Sequence, residues 1–121
     1  MYIYYITLKF YILLLLYTFM KLEKVIKSDA KGKKFTAIFC LCEGASCCKD
    51  NKKKKVHFGA TGYLDYTIGA TDEQRKAYLA RHASGKTAKA DTPNALSYYI
   101  LWGNSKSRIQ NIKDYKQKYN I

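Results

Sequence analysis

The chain has 121 residues and a formal net charge of +13 at pH 7, with 22 lysines and arginines against 9 aspartates and glutamates. This length fits one domain and excludes large multidomain enzymes. Hydrophobic residues make up 48% of the chain and aromatic residues 15%, which is enough apolar material for a core and excludes general disorder.

The first 20 residues are hydrophobic except for Thr7, Lys9 and Thr18. We place this segment outside the domain. The preferred interpretation is that it is AT-rich upstream sequence translated in frame, and that Met20 is the natural start. The alternative is a membrane anchor, which needs about 20 apolar residues. A secretory signal peptide is the least favoured interpretation, because no small-residue cleavage site follows the apolar run.

Six lysines lie within residues 21–34, which we interpret as a basic linker. A small α+β domain is then predicted for residues 35–121. Its first elements are two strands, at residues 33–42 and 52–58, which form a β-hairpin with a long tip. In the second strand, alternation directs Lys53, Lys55 and His57 to one face and Val56 and Phe58 to the other.

Three helices are predicted after a glycine-containing loop at residues 59–69. Thr71 and Gln74 fit a capping box for the first, which is expected to stop at Gly85. Thr92 and Pro93 fit the start of the second, which Gly103 ends. Polar residues around Ser105 and Ser107 open the third. The expected core is Val56, Phe58, Tyr78, Leu96, Ile100, Trp102, Ile112 and Tyr115.

The four cysteines have the spacing C-x-C-x4-C-C, at Cys40, Cys42, Cys47 and Cys48. Reduced thiols, two of them buried in a strand, are the preferred interpretation. A four-sulfur zinc site is the alternative, although the spacing lacks the usual pair of C-x2-C knuckles. Disulfides are expected only if the N-terminal segment directs export.

Basic and polar side chains suggest contacts with phosphate. We assign phosphate contact to Lys53, Lys55, His57, Lys106 and Lys113, because lysines on a strand face and a helix face neutralise rows of phosphates. An inner anion site is assigned to Arg75, Arg81, His82, Ser105 and Ser107. The favoured alternative for this second set is structural, with basic side chains tethering a loop and serines capping a helix.

Four blocks of sequence resemble a family of small uncharacterised proteins of giant DNA viruses. The blocks are KVHFGAxGYxDYT at residues 55–67, RxxYxxRH at 75–82, TPxxLSxYILWGxSxS at 92–107 and NxxxYK at 111–116. The resemblance implies a viral protein that acts in the host cytoplasm or the virion. It brings no activity with it.

The expected function is sequence-independent binding of DNA or RNA through phosphate contacts. A structural or interaction protein of the virion is the alternative, with a membrane as partner only if residues 1–19 belong to the working protein. A small phosphodiesterase or nuclease is a weaker alternative, because the chain lacks a paired-carboxylate metal site, a nucleotide-binding glycine loop and a nucleophile motif. No cofactor is expected.

Overall fold

A computed structural model describes residues 18–43, 47–48 and 52–121. Three strands come first and are followed by helical elements. The strands are β1 (Thr18–Lys27), β2 (Lys33–Glu43) and β3 (Lys53–Ala60). The helices are α1 (Asp72–Arg81), α2 (Pro93–Leu96) and α3 (Arg108–Tyr119), with 3-10 turns at Tyr66–Ile68 and Ala83–Lys86 and a π-helical turn at Ser97–Leu101. The α+β class and the order of hairpin before helices are therefore correct.

The sheet is antiparallel with strand order β1-β2-β3. β1 occupies residues 21–27 and β2 begins at Lys33, so the expectation of a basic linker at residues 21–34 is wrong. The predicted apolar segment also contributes, because its last three residues begin β1. The pairing of β1 with β2 shifts between Leu22 and Lys24, which makes Glu23 the extra residue of a β-bulge.

The helices begin where local signals predict. Thr71 and Gln74 form the reciprocal capping box of α1, Thr92 caps α2 with Pro93 in its first turn, and the Ser107 hydroxyl accepts from the backbone of Gln110 at the start of α3. The predicted end of the first helix is wrong, because α1 ends at Arg81.

Gly85 instead is the one buried residue of the 3-10 turn at Ala83–Lys86. A Cβ added at Gly85 would lie 2.8 Å from the Cβ of Tyr98, so this position needs glycine for close packing. The second helix widens into the π-helical turn before Gly103, in which the Trp102 backbone donates to the Ser97 carbonyl.

The core lies between one face of the sheet and the helices, and we call that face of the sheet the inner face. It contains the predicted residues Val56, Phe58, Leu96, Ile100, Trp102 and Tyr115, with Tyr78 and Ile112 partly buried against it. The sequence analysis did not assign Leu22, Ala37, Phe39 and Leu101 to the core. Within the described residues, no helix is long and apolar enough to span a bilayer. Residues 1–17, which make up most of the segment alternatively interpreted as a membrane anchor, lie outside the described residues.

Candidate functional site

A group of basic side chains lies on the face of the sheet opposite the helices. The strand register and the alternation of side chains place Lys21 and Lys53 on either side of Cys40, and Lys24 and Lys55 on either side of Ile38. The same alternation directs His57 to this side. We call the surface formed by Lys21, Lys24, Lys53, Lys55 and His57 the outer basic face. The prediction that Lys53, Lys55 and His57 share a face is confirmed.

Only part of this charge is neutralised by nearby acids. The Lys53 ammonium lies 3.2 Å from a Glu23 carboxylate oxygen, because the β-bulge adds Glu23 to this side of β1. Lys21, Lys24 and Lys55 are exposed and form no ion pair with another described residue. The outer basic face therefore retains a net positive charge.

His57 is held by two hydroxyl groups at the edge of this face. Its Nδ1 lies 2.7 Å from the Thr36 hydroxyl and 3.2 Å from the Ser28 hydroxyl. Thr36 is buried and donates to Ser28, whose oxygen also accepts from the backbone of Ala30. Because these contacts occupy Nδ1, the Nε2 atom is left to contact a ligand.

Lys54 belongs to the other side of β3. Its ammonium lies 2.8 Å from a carboxylate oxygen of Asp91, which precedes α2. The hydrogen bond from Lys54 holds the pKa of Asp91 below its ordinary value. Lys54 therefore joins the strand to the helices and adds nothing to the outer basic face.

A cleft of about 610 Å³ lies between the ends of β2 and β3, the loop at residues 61–65, and the helices. Arg81 and His82 line it, and His82 stacks on Tyr78, with ring centroids 4.2 Å apart. The Tyr78 ring stacks in turn on Trp102 at 4.3 Å. Burial raises the pKa of the Tyr78 phenol. The middle ring of the stack is therefore uncharged at neutral pH.

Most of the predicted inner anion site has structural contacts instead. Arg75 Nε donates to the backbone carbonyls of Trp102 and Gly103, and its guanidinium also donates to Asn104. The Ser105 hydroxyl accepts from the backbone of Ser107, and Ser107 caps α3. Arg75, Ser105 and Ser107 thus hold the connection between the π-helical turn and α3.

His57, Arg75, His82 and Ser105 do not converge on one site. His57 lies on the outer side of the sheet, whereas Arg75, His82 and Ser105 belong to the layer on its inner side. Arg75 lines a second cleft, of about 390 Å³, and His82 lines the larger one. The two histidines of the chain, His57 and His82, therefore do not form one acid–base pair.

Lys106 and Lys113 are both exposed. Lys106 lies beside the Tyr66 ring, 5.6 Å from its centroid, and Lys113 lies on α3. Both belong to the helical layer, so the predicted phosphate-contacting residues occupy two separate surfaces.

The four cysteines form two disulfides, Cys40–Cys48 and Cys42–Cys47. The preference for reduced thiols is therefore wrong for this structure. Cys40 and Cys42 lie two residues apart on one side of β2, so a returning loop brings a partner to each. Among the described residues, only these cysteines and Glu23 form groups of three side chains able to hold a metal ion.

The Lys34–Asp65 ion pair and the positions of Lys21 and Lys24 were not predicted from the sequence. Asp65 is buried and forms an ion pair with Lys34 at 2.8 Å, which fixes the wall of the larger cleft. Lys21 and Lys24 were assigned to a linker. Their places on the outer basic face depend on a strand pairing that no local pattern specifies.

A family model described as a family of unknown function, DUF5754, matches residues 23–82. An uncharacterised protein of Acanthamoeba polyphaga mimivirus is 36% identical over 86 residues, which cover 65% of this chain and 79% of that protein. No solved structure matches the chain. The matched residues run from Glu23 of the β-bulge to His82, which lines the larger cleft. The chain therefore belongs to this family of uncharacterised giant-virus proteins.

Proposed function

We propose that the protein binds nucleic acid through phosphate contacts on the outer basic face, largely independently of sequence. The observation that supports the proposal is the arrangement of four lysines on β1 and β3, two on either side of β2, with His57 beside them. Three of these lysines have no ion pair with another described residue. They are therefore available to neutralise phosphates.

The dimensions of the face suit a chain of phosphates. β1 and β3 are separated by β2 and therefore lie about 10 Å apart. Side chains two positions apart along one strand are about 7 Å apart. The lysines thus stand at the corners of a patch, with buried Ile38 and Cys40 between them. A flexible lysine stem lets each ammonium reach a phosphate without a fixed geometry.

The type of basic residue supports sequence independence. All four corners of the patch are lysines, which act as point charges, whereas the guanidinium of arginine makes the paired hydrogen bonds that read guanine. The three arginines of the chain lie elsewhere. Arg75 and Arg108 contact the protein itself, the latter over the Phe35 ring.

A salt titration of binding tests this proposal. We expect the protein to bind labelled single- and double-stranded oligonucleotides of different sequences with similar affinity, and to lose affinity steeply as salt rises. The double variant Lys24→Gln/Lys55→Gln should weaken binding about tenfold and lower the salt dependence by about two counterions.

The matched control is Lys106→Gln/Lys113→Gln, which removes the same charge from the helical layer. It should change affinity by less than about twofold, since distant exposed charges are largely screened. Equal losses in both variants would contradict the assignment to the outer basic face. Absence of wild-type binding at low salt, or binding to anionic lipid vesicles alone, would overturn the nucleic-acid proposal.

The larger cleft supports a second candidate function, binding of a small organic anion. Lys33 and Arg81 line it without an ion pair to another described residue, and Tyr63 and Leu64 add exposed apolar surface. The exposed ring of His82, at the end of the aromatic stack, offers a surface for a planar group. A nucleoside monophosphate combines the required ring and charge.

Trp102 is the only tryptophan and lines this cleft, so its fluorescence reports on occupancy. We expect nucleoside monophosphates to change that fluorescence saturably, and Arg81→Ala to weaken binding about fivefold or more. Lys113→Ala is the control and should leave the titration unchanged. A flat titration, or equal binding by Arg81→Ala, contradicts this candidate.

A further inference from the structure

The cysteine cluster is compact and joins two parts of the chain. Cys40 and Cys42 are fully buried at the end of β2, and Cys47 and Cys48 come back to them from the loop beyond. Sulfur atoms of different disulfides are also close, since the Sγ atoms of Cys47 and Cys48 lie 3.7 Å apart. The four sulfurs therefore form a single cluster.

The separation of the Cys47 and Cys48 sulfurs, 3.7 Å, matches that of neighbouring sulfurs in a zinc tetrathiolate. A tetrahedral site with Zn–S bonds of about 2.3 Å has neighbouring sulfurs about 3.8 Å apart. The Sγ atoms of Cys42, Cys47 and Cys48 all lie within 4.8 Å of one another, and those of Cys40 and Cys48 lie within the same limit. Once the S–S bonds are broken, each bonded sulfur has to move by about 1 Å to reach this spacing.

The surrounding charges suit such a centre. Zinc with four thiolates carries a net charge of −2, and Lys21 and Lys53 flank Cys40 in the sheet. Glu23 lies on the same side, with a carboxylate oxygen 3.4 Å from the Cys40 sulfur, but it is itself paired with Lys53. The buried position of Cys40 and Cys42 limits access of water to the metal.

We propose that reduction converts the two disulfides into a structural zinc site with Cys40, Cys42, Cys47 and Cys48 as its ligands. A dithiol reductant gives two electrons and two protons to each disulfide, forming four thiols and the oxidised reductant. The thiols then bind one Zn²⁺ and release four protons. The cluster thereby has two stable forms, one closed by S–S bonds and one closed by metal, and both fix the loop to β2.

Metal uptake by the full-length protein tests this. The chain is reduced with a phosphine, freed of the reductant without air, and titrated with Zn²⁺ and with Co²⁺ as a spectroscopic probe. We expect one metal per chain, a thiolate-to-cobalt charge-transfer band with the visible absorption of tetrahedral Co²⁺, and the release of close to four protons. The oxidised protein should bind neither metal.

Two variants distinguish zinc binding at this four-cysteine site from non-specific binding of zinc by thiols. Cys42→Ser should weaken zinc binding by at least about tenfold, because it removes a buried ligand. Glu23→Gln keeps all four sulfurs and should retain one tetrahedral metal per chain. The proposal is overturned if the reduced wild type, with four titratable thiols and native circular dichroism, gives no tetrahedral Co²⁺ spectrum, or if Cys42→Ser binds zinc as tightly as the wild type.

Discussion

Asp65 is a carboxylate that the fold removes almost entirely from water. Only 1% of it is exposed, and it accepts hydrogen bonds from the Thr67 backbone and hydroxyl while pairing with Lys34. These contacts fix the 3-10 turn at Tyr66–Ile68 and attach it to the start of β2. The charge is stable in this position only because every partner is present.

Replacing Asp65 by asparagine should therefore destabilise the protein strongly. We expect a loss of about 3 kcal/mol in the free energy of unfolding, since Lys34 loses its counter-charge within a largely buried pair. Urea denaturation measures the loss. Asp29→Asn, at an exposed position, should change stability by less than about 0.5 kcal/mol, and an equal effect of the two changes would contradict the role given to Asp65.

Tyr115 makes stability depend on alkaline pH. Its phenol is buried and donates to the Ala90 carbonyl, and burial raises its pKa above the ordinary value. In the unfolded chain the phenol ionises near pH 10. The stabilisation is therefore complete below about pH 10 and falls as the pH rises above it, by up to about 1.4 kcal/mol per pH unit.

The variant Tyr115→Phe should be less stable than the wild type at pH 8, by about 1 kcal/mol, because it loses the hydrogen bond. Above pH 10 the difference should shrink and then reverse. Denaturant titrations between pH 8 and pH 11.5 measure both effects, with Tyr63→Phe as the exposed control. Parallel pH profiles for the wild type and Tyr115→Phe would show that the phenol does not cause the dependence.

At the scale of elements, the connection between the π-helical turn and α3 is tightly packed. Buried Asn111 donates to the carbonyls of Ile100 and Ser105 and accepts from the Ser105 backbone. Gly103 lies against it, and a Cβ there would come within 2.2 Å of the Tyr99 carbonyl oxygen. This connection has no space for even one methyl group.

We expect Gly103→Ala to cost about 3 kcal/mol or more, because the neighbours that it meets include backbone atoms that cannot move aside. Thermal or chemical unfolding measures the cost. Gly62→Ala is the comparison: Gly62 has a positive φ but nothing within 4 Å of an added Cβ, so it should cost about 1–2 kcal/mol. If Gly103→Ala is the milder change, the close packing described here is wrong.

Local signals in the sequence predicted most elements correctly. Thr71, Thr92 and Ser107 mark helix starts through hydrogen bonds to residues three positions away, so a short window contains the information. β1 was missed because the bulge at Glu23 interrupts the alternation of inward Leu22 and Val25. The site was harder to predict, since whether His57 and His82 meet depends on which side of the sheet the helices pack.

For the whole molecule, the net charge of +13 opposes the compact state through self-repulsion. Added salt screens this repulsion, so we expect stability to rise with ionic strength. A gain of about 1 kcal/mol corresponds to about 4–8 °C in Tm for a domain of this size. Scans from 10 to roughly 300 mM KCl test this, with sucrose at equal osmolality as the control.

The Lys24→Gln/Lys55→Gln variant should respond less to salt, because it carries two fewer charges on one crowded face. An unchanged or falling Tm in KCl would mean that local ion pairs such as Lys54–Asp91 outweigh the overall repulsion. The same scan in the presence of an oligonucleotide separates screening from ligand stabilisation, since bound polyanion should stabilise most at low salt.

β3 is an edge strand of the three-stranded sheet, and its lysines therefore also influence association between copies of the protein. An edge strand exposes unpaired backbone groups that can pair with a strand from another molecule. Lysines on an edge strand oppose this association through charge repulsion and through the size of their side chains. Lys53, Lys54 and Lys55 stand on that strand. Lys53 and Lys55, which we propose to attract nucleic acid, therefore also oppose the pairing of β3 with a strand of another copy, and a bound polyanion is expected to weaken that repulsion.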